Sequence, residues 1–173
     1  MMDYSQVAVA KLDERTISLT DEFECDDPDL EEFLKKDALV YYSGKLAVTY
    51  LVLYGGKAVG FFCLSNDAMK VNKEDREKLD ALGKHLPIYP AMKIGRLGIC
   101  RKFQSMGIGT FIIDHVTGLA LLQSLEVGCR YLTVDSYRKD GNITFYSKNK
   151  FKELTDGRER KNVPMYKDIL IRG

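Results

Sequence analysis

Ile99-Cys100-Arg101-Lys102-Phe103-Gln104-Ser105-Met106-Gly107-Ile108-Gly109-Thr110 is the stretch on which the reading of this chain turns. An apolar, strand-like run from Ile94 to Cys100 leads into it. From Gly107 to Ser124 no proline interrupts a helical spacing of apolar residues. The stretch therefore reads as strand, short loop and helix start. A helix N-terminus presents unpaired backbone N–H groups and the positive end of the helix dipole, which suits phosphate. Glycines at 107 and 109 remove Cβ atoms, so a ligand can approach the backbone, and successive N–H groups can cradle a pyrophosphate without a metal. Two other phosphate motifs do not fit. A P-loop ends Gly-Lys-Ser/Thr, whereas Gly109 is followed by Thr110-Phe111; a dinucleotide fingerprint needs a small residue where Ile112 stands.

Outward from that stretch, strand and helix patterns are mixed. Val7 to Leu12 alternate as a first strand. Asp26-Asp27-Pro28-Asp29 marks a helix start, and the helix runs through Leu30, Phe33, Leu34, Asp37 and Ala38 to a close at Tyr41-Tyr42-Ser43-Gly44. Leu46 to Tyr54 and Ala58 to Leu64, joined by Gly55-Gly56, predict a hairpin, because primed turns need positive φ. The charged stretch from Lys70 to Lys84 predicts a surface helix from near Asn72 to Gly83, followed by an irregular loop at Pro87 and Pro90. In the helix after Gly107, residues 108, 111, 112, 119 and 122 repeat on one face, and Ile113, Val116 and Ala120 add a second. Burial inside one domain and a homodimer interface would both explain two apolar faces. Tyr131 to Asp135 predicts a strand, Asn142 to Lys150 a helix, and two last strands are expected around Phe151 and Met165–Ile171 with a turn at Asp156-Gly157. The fold class is α/β, or mixed α+β.

With 173 residues the chain is expected to be a single domain, 1–173, with a full hydrophobic core. Lys and Arg number 26 against 25 acids, a net charge of +1, which argues against a surface built to coat nucleic acid or membrane as a whole. The N-terminus lacks the basic start and apolar run of a signal peptide. No apolar run approaches the roughly 18 residues of a membrane span, so a cytoplasmic, non-membrane protein is expected. Cys25, Cys63, Cys100 and Cys129 form no CxxC pair and no ligand cluster; buried, reduced thiols and no metal are the expectation.

The pattern that does match the decisive stretch is Gln-x-x-Gly-x-Gly, Gln104 to Gly109, and here the chain resembles the GNAT superfamily of acyl-CoA N-acetyltransferases. The resemblance covers about residues 46–151 in order. Gly95-Arg96-Leu97-Gly98-Ile99 is similar to the family's fourth strand, Tyr131 to Asp135 to its fifth, and Phe145-Tyr146-Ser147-Lys148-Asn149-Lys150-Phe151 to its Phe-Tyr-x-x-x-Gly-Phe segment. The resemblance implies a central mixed, mostly antiparallel sheet, splayed between strands four and five and flanked by helices. It implies acetyl-CoA as co-substrate, with Gln104, Ser105, Met106, Gly107, Ile108, Gly109 and Thr110 on its pyrophosphate and the backbone of Leu97, Gly98 and Ile99 beside its pantetheine arm. Two positions depart from the pattern. Lys150 stands where the family usually has Gly, and Lys139 stands at a site often held by Asn, seven residues before the Tyr; either Asn142 substitutes from another position or that polar contact to the cofactor is absent.

Acetyl transfer from thioester to amine passes through an oxyanion that backbone N–H groups can stabilise, and the resemblance assigns this to Leu97–Ile99. Tyr146 occupies the family position of the proton donor to the departing thiolate, since a phenol of pKa roughly 10 stays protonated at neutral pH. Asp67, Asp135 and His115 are candidate bases without a deciding feature; His115 falls on the apolar helix stripe as a core or interface histidine, and His85 in a loop as a solvated one. The acceptor is an amine on a small molecule or peptide, with 70–90 as a substrate wall, or on aminoacyl-tRNA. Phe23-Glu24-Cys25 with Leu30-Glu31-Glu32-Phe33-Leu34 and Ala38 resembles the N-terminal motif of toxin-like GNAT proteins, which acetylate charged tRNA and are restrained by an antitoxin. Lys148, Lys150, Lys152, Arg158, Arg160 and Lys161 form a basic cluster that could face RNA, although Glu153, Asp156 and Glu159 dilute it towards an ordinary solvated surface. The two departures also leave room for a non-catalytic acyl-CoA sensor.

Overall fold

The computed structural model describes residues 2–79, 86–155 and 161–171. In chain order its elements are β1 (Val7–Lys11), α1 (Pro28–Glu32), a π-helical turn (Phe33–Asp37), α2 (Ala38–Ser43), β2 (Val48–Tyr54), β3 (Lys57–Lys70), α3 (Lys73–Lys78), β4 (Ile88–Ile99), α4 (Ile108–Gln123), β5 (Tyr131–Tyr137), α5 (Asp140–Lys148), β6 (Lys152–Glu153) and β7 (Asn162–Asp168). The strands form a seven-stranded sheet in the order β1-β2-β3-β4-β5-β7-β6. Pairs β1–β2, β2–β3, β5–β7 and β7–β6 are antiparallel, and β4–β5 is parallel. The parallel ladder joins Ala91–Lys93 to Tyr131–Thr133, and Ile94–Ile99 lie beyond it. This is the mixed, mostly antiparallel sheet the sequence led us to expect. By contacts the chain forms two compact units, residues 1–65 with 94–115 and residues 66–93 with 116–173, so β3, β4 and α4 each contribute to both.

In the first unit, the Gly55-Gly56 turn has φ of +57° and +77°, as a two-residue hairpin requires. The N-terminal helical run begins as its sequence dictates: Asp27 accepts from the Asp29 N–H, and Pro28 occupies the first turn. It does not continue as one α-helix. The Ala38 N–H bonds the Phe33 carbonyl five residues back, a π turn that accompanies burial of Phe33, Leu34 and Ala38 together. These side chains pack with Leu12, Phe23, Leu51 and Phe61 in one core. The Phe61 ring meets Phe23 edge-on at 5.5 Å and stacks on Phe33 at 6.3 Å, while the Arg96 guanidinium lies 4.1 Å over Phe33.

The second unit is built on β5 and β7, paired from Tyr131↔Asp168 to Tyr137↔Asn162. Its core holds Met69, Val71, Leu79, Tyr89, Ala91, Tyr131 and Tyr166. The α3 helix is capped by Asn72, which accepts from the Asp75 N–H, and its amide reaches the Thr155 carbonyl. Asp75 is buried and accepts from the Thr155 N–H at 2.8 Å.

Several boundaries differ from the sequence reading. The irregular loop expected at Pro87 and Pro90 ends at Pro87, where β4 begins: Pro90 lies near the strand's beginning, where its missing N–H costs little, and its carbonyl accepts from the Arg130 N–H. β3 runs on to Lys70, and β7 ends at Asp168 rather than at Ile171. On α4 the buried face is Ile108, Ile112, Ile113, Val116 and Ala120; Leu122, expected on the buried stripe, is 66% exposed. Gly83, His85 and the Asp156-Gly157 turn lie outside the described residues. All four cysteines are free and buried.

Gly98 shows how tightly the first unit is packed. A Cβ there would sit 2.5 Å from the rim of the Phe61 ring, which is fully buried. Replacing it with Ala should cost about 1–3 kcal/mol through overpacking, measured as a drop in unfolding free energy in denaturant. An unchanged stability would show that the Phe61 ring can move aside.

Candidate functional site

The loop from Gln104 to Gly107 is held from below and from the side. Below it, Gly60 lets the helix start come close to the sheet: a Cβ there would lie 3.2 Å from Ile108 Cγ2 and Ile99 Cδ1. Ile108 is buried as a result and anchors the first turn of α4. From the side, the Asp26 carboxylate takes two donors, Arg101 Nε at 2.7 Å and Gln104 Nε2 at 2.9 Å. These two bonds, the Gln104 one first, hold the Asp26 carboxyl below its ordinary pKa. The Arg101 N–H also donates to the Glu24 carbonyl. Tyr4 closes the other side: its hydroxyl donates to the Met106 carbonyl at 2.6 Å, and its ring lies 5.7 Å from Phe111.

The backbone within this frame is contorted. Ser105 has φ +61° and Gly107 φ +87°, both in the left-handed region. Among the described residues, the N–H groups of Ser105 and of Gly107 to Thr110 have no acceptor within the chain, that of Met106 closes a turn over Gln104-Ser105, and the first helical bond is Phe111 N–H to the Gly107 carbonyl. Residues 104–107 are exposed, so the loop is open to solvent. Donors arranged in that way suit an anion such as a pyrophosphate. Glycine at 107 has a further reason: a Cβ would lie 2.4 Å from the Tyr4 hydroxyl oxygen. The side-chain Nε2 of Gln104 donates to Asp26, which ties the start of the loop to the segment before α1. Leu97 and Ile99 are half-buried on β4.

In the second unit, Tyr146 lies on α5 and is 8% exposed. Its ring packs between Phe145 at 5.0 Å and Phe151 at 5.3 Å. Burial pushes its phenol well above the ordinary pKa, so the proton stays on through the neutral range. The helix ends in a paired-bond turn: the Phe151 N–H reaches the Tyr146 carbonyl and the Lys150 N–H reaches the Ser147 carbonyl, both at 3.0 Å. This is a Schellman motif, whose usual hydrophobic contact is here the Tyr146–Phe151 pair. It explains the Phe-Tyr-x-x-x-Gly-Phe spacing physically: the sixth position must be left-handed. Lys150 occupies it with φ +70°, so the turn forms despite the missing glycine. At the other end, Lys139 is the N-cap of α5 and makes no side-chain cap bond. Asn142, half-buried in the first turn, gives its backbone N–H to the Lys139 carbonyl.

The three candidate bases are each engaged. Asp67 accepts from the Thr133 hydroxyl at 2.5 Å, and Asp135 pairs with Lys93 at 2.6 Å. His115 lies between Phe62 at 5.9 Å and Phe111 at 6.2 Å, and burial lowers its pKa. Of the basic cluster, Lys148, Lys150, Lys152 and Lys161 are exposed, while Arg158 and Arg160 lie outside the described residues. Among the described residues, no group of three or more His, Cys, Asp and Glu gathers as a metal site, and no helix is long and apolar enough to cross a membrane. Sequence reasoning missed Tyr4 and Asp26. Asp26 carried a helix-start signal that hid its second role, and Tyr4 carried no signal, since its partner lies about a hundred residues away.

If the left-handed turn is strained by its lysine, Lys150→Gly should stabilise the protein by about 1 kcal/mol, seen as a raised midpoint in chemical denaturation. A loss of stability would mean that the Lys150 side chain makes compensating contacts.

No protein-family profile matches the chain. Solved structures do. A tyrosine-to-phenylalanine variant of the toxin AtaT, bound to the C-terminus of the antitoxin AtaR, aligns over 95% of this chain and 94% of its own with a TM-score of 0.77 and 18% identity. A tyrosine-to-phenylalanine variant of KacT aligns over 92% and 94% with a TM-score of 0.77 and 22% identity. AtaT complexed with acetyl-methionyl-tRNAfMet aligns over 92% and 93% with a TM-score of 0.76 and 20% identity. At these identities the likeness is one of architecture, and it establishes that the chain has the GNAT-like fold over more than nine-tenths of its length.

Proposed function

We propose that this chain is an N-acetyltransferase that takes its acetyl group from acetyl-CoA and delivers it to an amine. The observation that carries the reading is the set of N–H groups at the head of α4, Ser105 and Gly107 to Thr110, that have no acceptor among the described residues. That set fits a pyrophosphate, and a structural neighbour with AtaTR bound to AcCoA supports the choice of coenzyme. Acetyl-CoA, when bound, supplies an activated thioester. The chain's own residues do the rest. Ser105, Met106, Gly107, Ile108, Gly109 and Thr110 bind diphosphate through their backbone, Gln104 with Asp26 and Tyr4 hold that backbone in place, and Leu97, Gly98 and Ile99 line the pantetheine arm. Asn142 supplies a further polar contact. Tyr146 holds a proton on its phenol oxygen, kept there by burial, and is the donor to a departing thiolate.

A second, narrower reading concerns the acceptor. We infer that the amine is that of an aminoacyl-tRNA, as in the toxin-like branch. The supporting observation is the neighbour AtaT complexed with acetyl-methionyl-tRNAfMet, together with the Phe23 to Ala38 segment, whose aromatic Phe33 packs under Arg96 of β4. On that reading a small antitoxin is an expected partner, as AtaR is for AtaT in a neighbouring structure.

The cofactor site is tested by Thr110→Glu. Thr110 is exposed in the first helical turn, where an acid suits the helix dipole and leaves the fold intact. Calorimetry should show acetyl-CoA affinity reduced by about tenfold or more, since a carboxylate repels the diphosphate; equal binding would overturn the placement. For catalysis, Tyr146→Phe should lower kcat roughly a hundredfold or more with little change in acetyl-CoA affinity. Unchanged turnover would reduce Tyr146 to a packing residue, and no turnover with any amine despite tight binding would favour the sensor. If charged tRNA is the acceptor, its acetylation should fall steeply with salt through counterion release; salt-insensitive binding of charged tRNA would count against RNA.

A further inference from the structure

The strained Lys150 is also part of a second basic feature. In the second unit a pocket of about 120 Å³ opens where the start of β5 meets the end of β7. At roughly 30 Å³ per water, that is room for about four waters or one compact polyatomic anion. Lys78, Arg130, Lys150 and Lys152 line it, above the rings of Tyr131 and Tyr166, which meet edge-on at 5.6 Å. Asp168 is the acid in the lining, and both its oxygens are used: one takes Arg130 at 2.6 Å, the other the Leu170 N–H at 2.9 Å. Lys78 shares a buried partner, Asp75, at 3.7 Å. Among the described residues, Lys150 and Lys152 have no carboxylate partner, and Arg130 Nε is buried without an acceptor.

Two independent facts therefore meet at one place. The pocket carries more positive charge than its one acid balances. One of its cations stands in a left-handed turn that glycine would occupy without strain. The Schellman turn accounts for that backbone; what it leaves unexplained is a lysine where glycine would fit without strain. A compact anion with several acceptor oxygens would satisfy the lysines, the arginine and the phenols together.

We propose that this pocket binds a phosphate group, separate from the loop at Ser105 to Thr110 and not dependent on the acetyl-transfer reading. A phosphate of that kind reaches a protein either on a free phosphorylated compound or on the backbone of RNA. The test uses the full-length protein with two probes: inorganic phosphate, followed by calorimetry, and a fluorescent RNA hairpin, followed by anisotropy. The wild type is compared with Lys152→Ala, Lys150→Gly and the double variant. Lys150→Gly is the informative one, because relief of strain keeps the fold secure while the charge is lost.

Phosphate binding should weaken about tenfold in the double variant, with an undiminished unfolding midpoint and unchanged acetyl-CoA affinity. A parallel loss of RNA binding, with phosphate competing against the hairpin, identifies the RNA backbone as the source. Loss of phosphate binding with RNA binding unchanged identifies a free phosphorylated compound. Absence of phosphate binding in the wild type, or equal binding by wild type and double variant, overturns the proposal. Because acetyl-CoA affinity is read in the same preparations, failure here leaves the acetyl-transfer reading standing and would be distinct from its failure.

Discussion

Among the described residues, the backbone N–H groups of Ser105 and of Gly107 to Thr110 have no acceptor, and fixed contacts of the first unit surround them. A loop of this kind would relax into local turns if left alone, closing its donors on nearby carbonyls. It is prevented from doing so by fixed partners. Asp26 holds Arg101 and Gln104, Tyr4 takes the Met106 carbonyl, and Gly60 lets Ile108 sink beneath the helix start. On the proposed reading, rigidity here has a functional sense, because preorganised donors lose little on receiving an anion.

The same economy governs the second unit, through a different device. Among the described residues, the Tyr146 side chain is held by the end of its helix rather than by a hydrogen bond. The Schellman bonds from Lys150 and Phe151 bring Phe151 onto the Tyr146 ring, and the enclosure that results keeps the phenol protonated. Packing thus sets an acid–base property. The carboxylates that sequence reading had considered as bases are by contrast spent on Thr133 and Lys93, so no acid among them is left free for that task.

Much of this was legible beforehand. The Gly55-Gly56 hairpin, the strand before the loop, the helix after Gly107 and the Phe145-Tyr146 helix all lie where local pattern put them, because each is governed by near neighbours. Errors came where tertiary context overrides local signals. Pro90 reads as a loop breaker, yet it sits early in β4, where a missing donor is tolerated. Leu122 continues a helical stripe, yet it is exposed because the buried face turns through Ile113 and Val116 instead. The π turn at Phe33–Asp37 had no local sign, since what accompanies it is the core that Phe33 and Leu34 enter together.

The sequence by itself determined the element order, the glycines of the loop and the aromatic spacing around Tyr146, since these are properties of contiguous residues. Tertiary structure alone decided that Tyr4 and Asp26 brace the loop and that Gly98 is glycine because Phe61 fills the space beside it. It also decided that Lys150 adopts the backbone of the glycine it replaces and shares a pocket with Lys78 and Arg130. Those facts depend on residues far apart in the chain coming within a few ångströms of one another, and no local pattern encodes such a meeting.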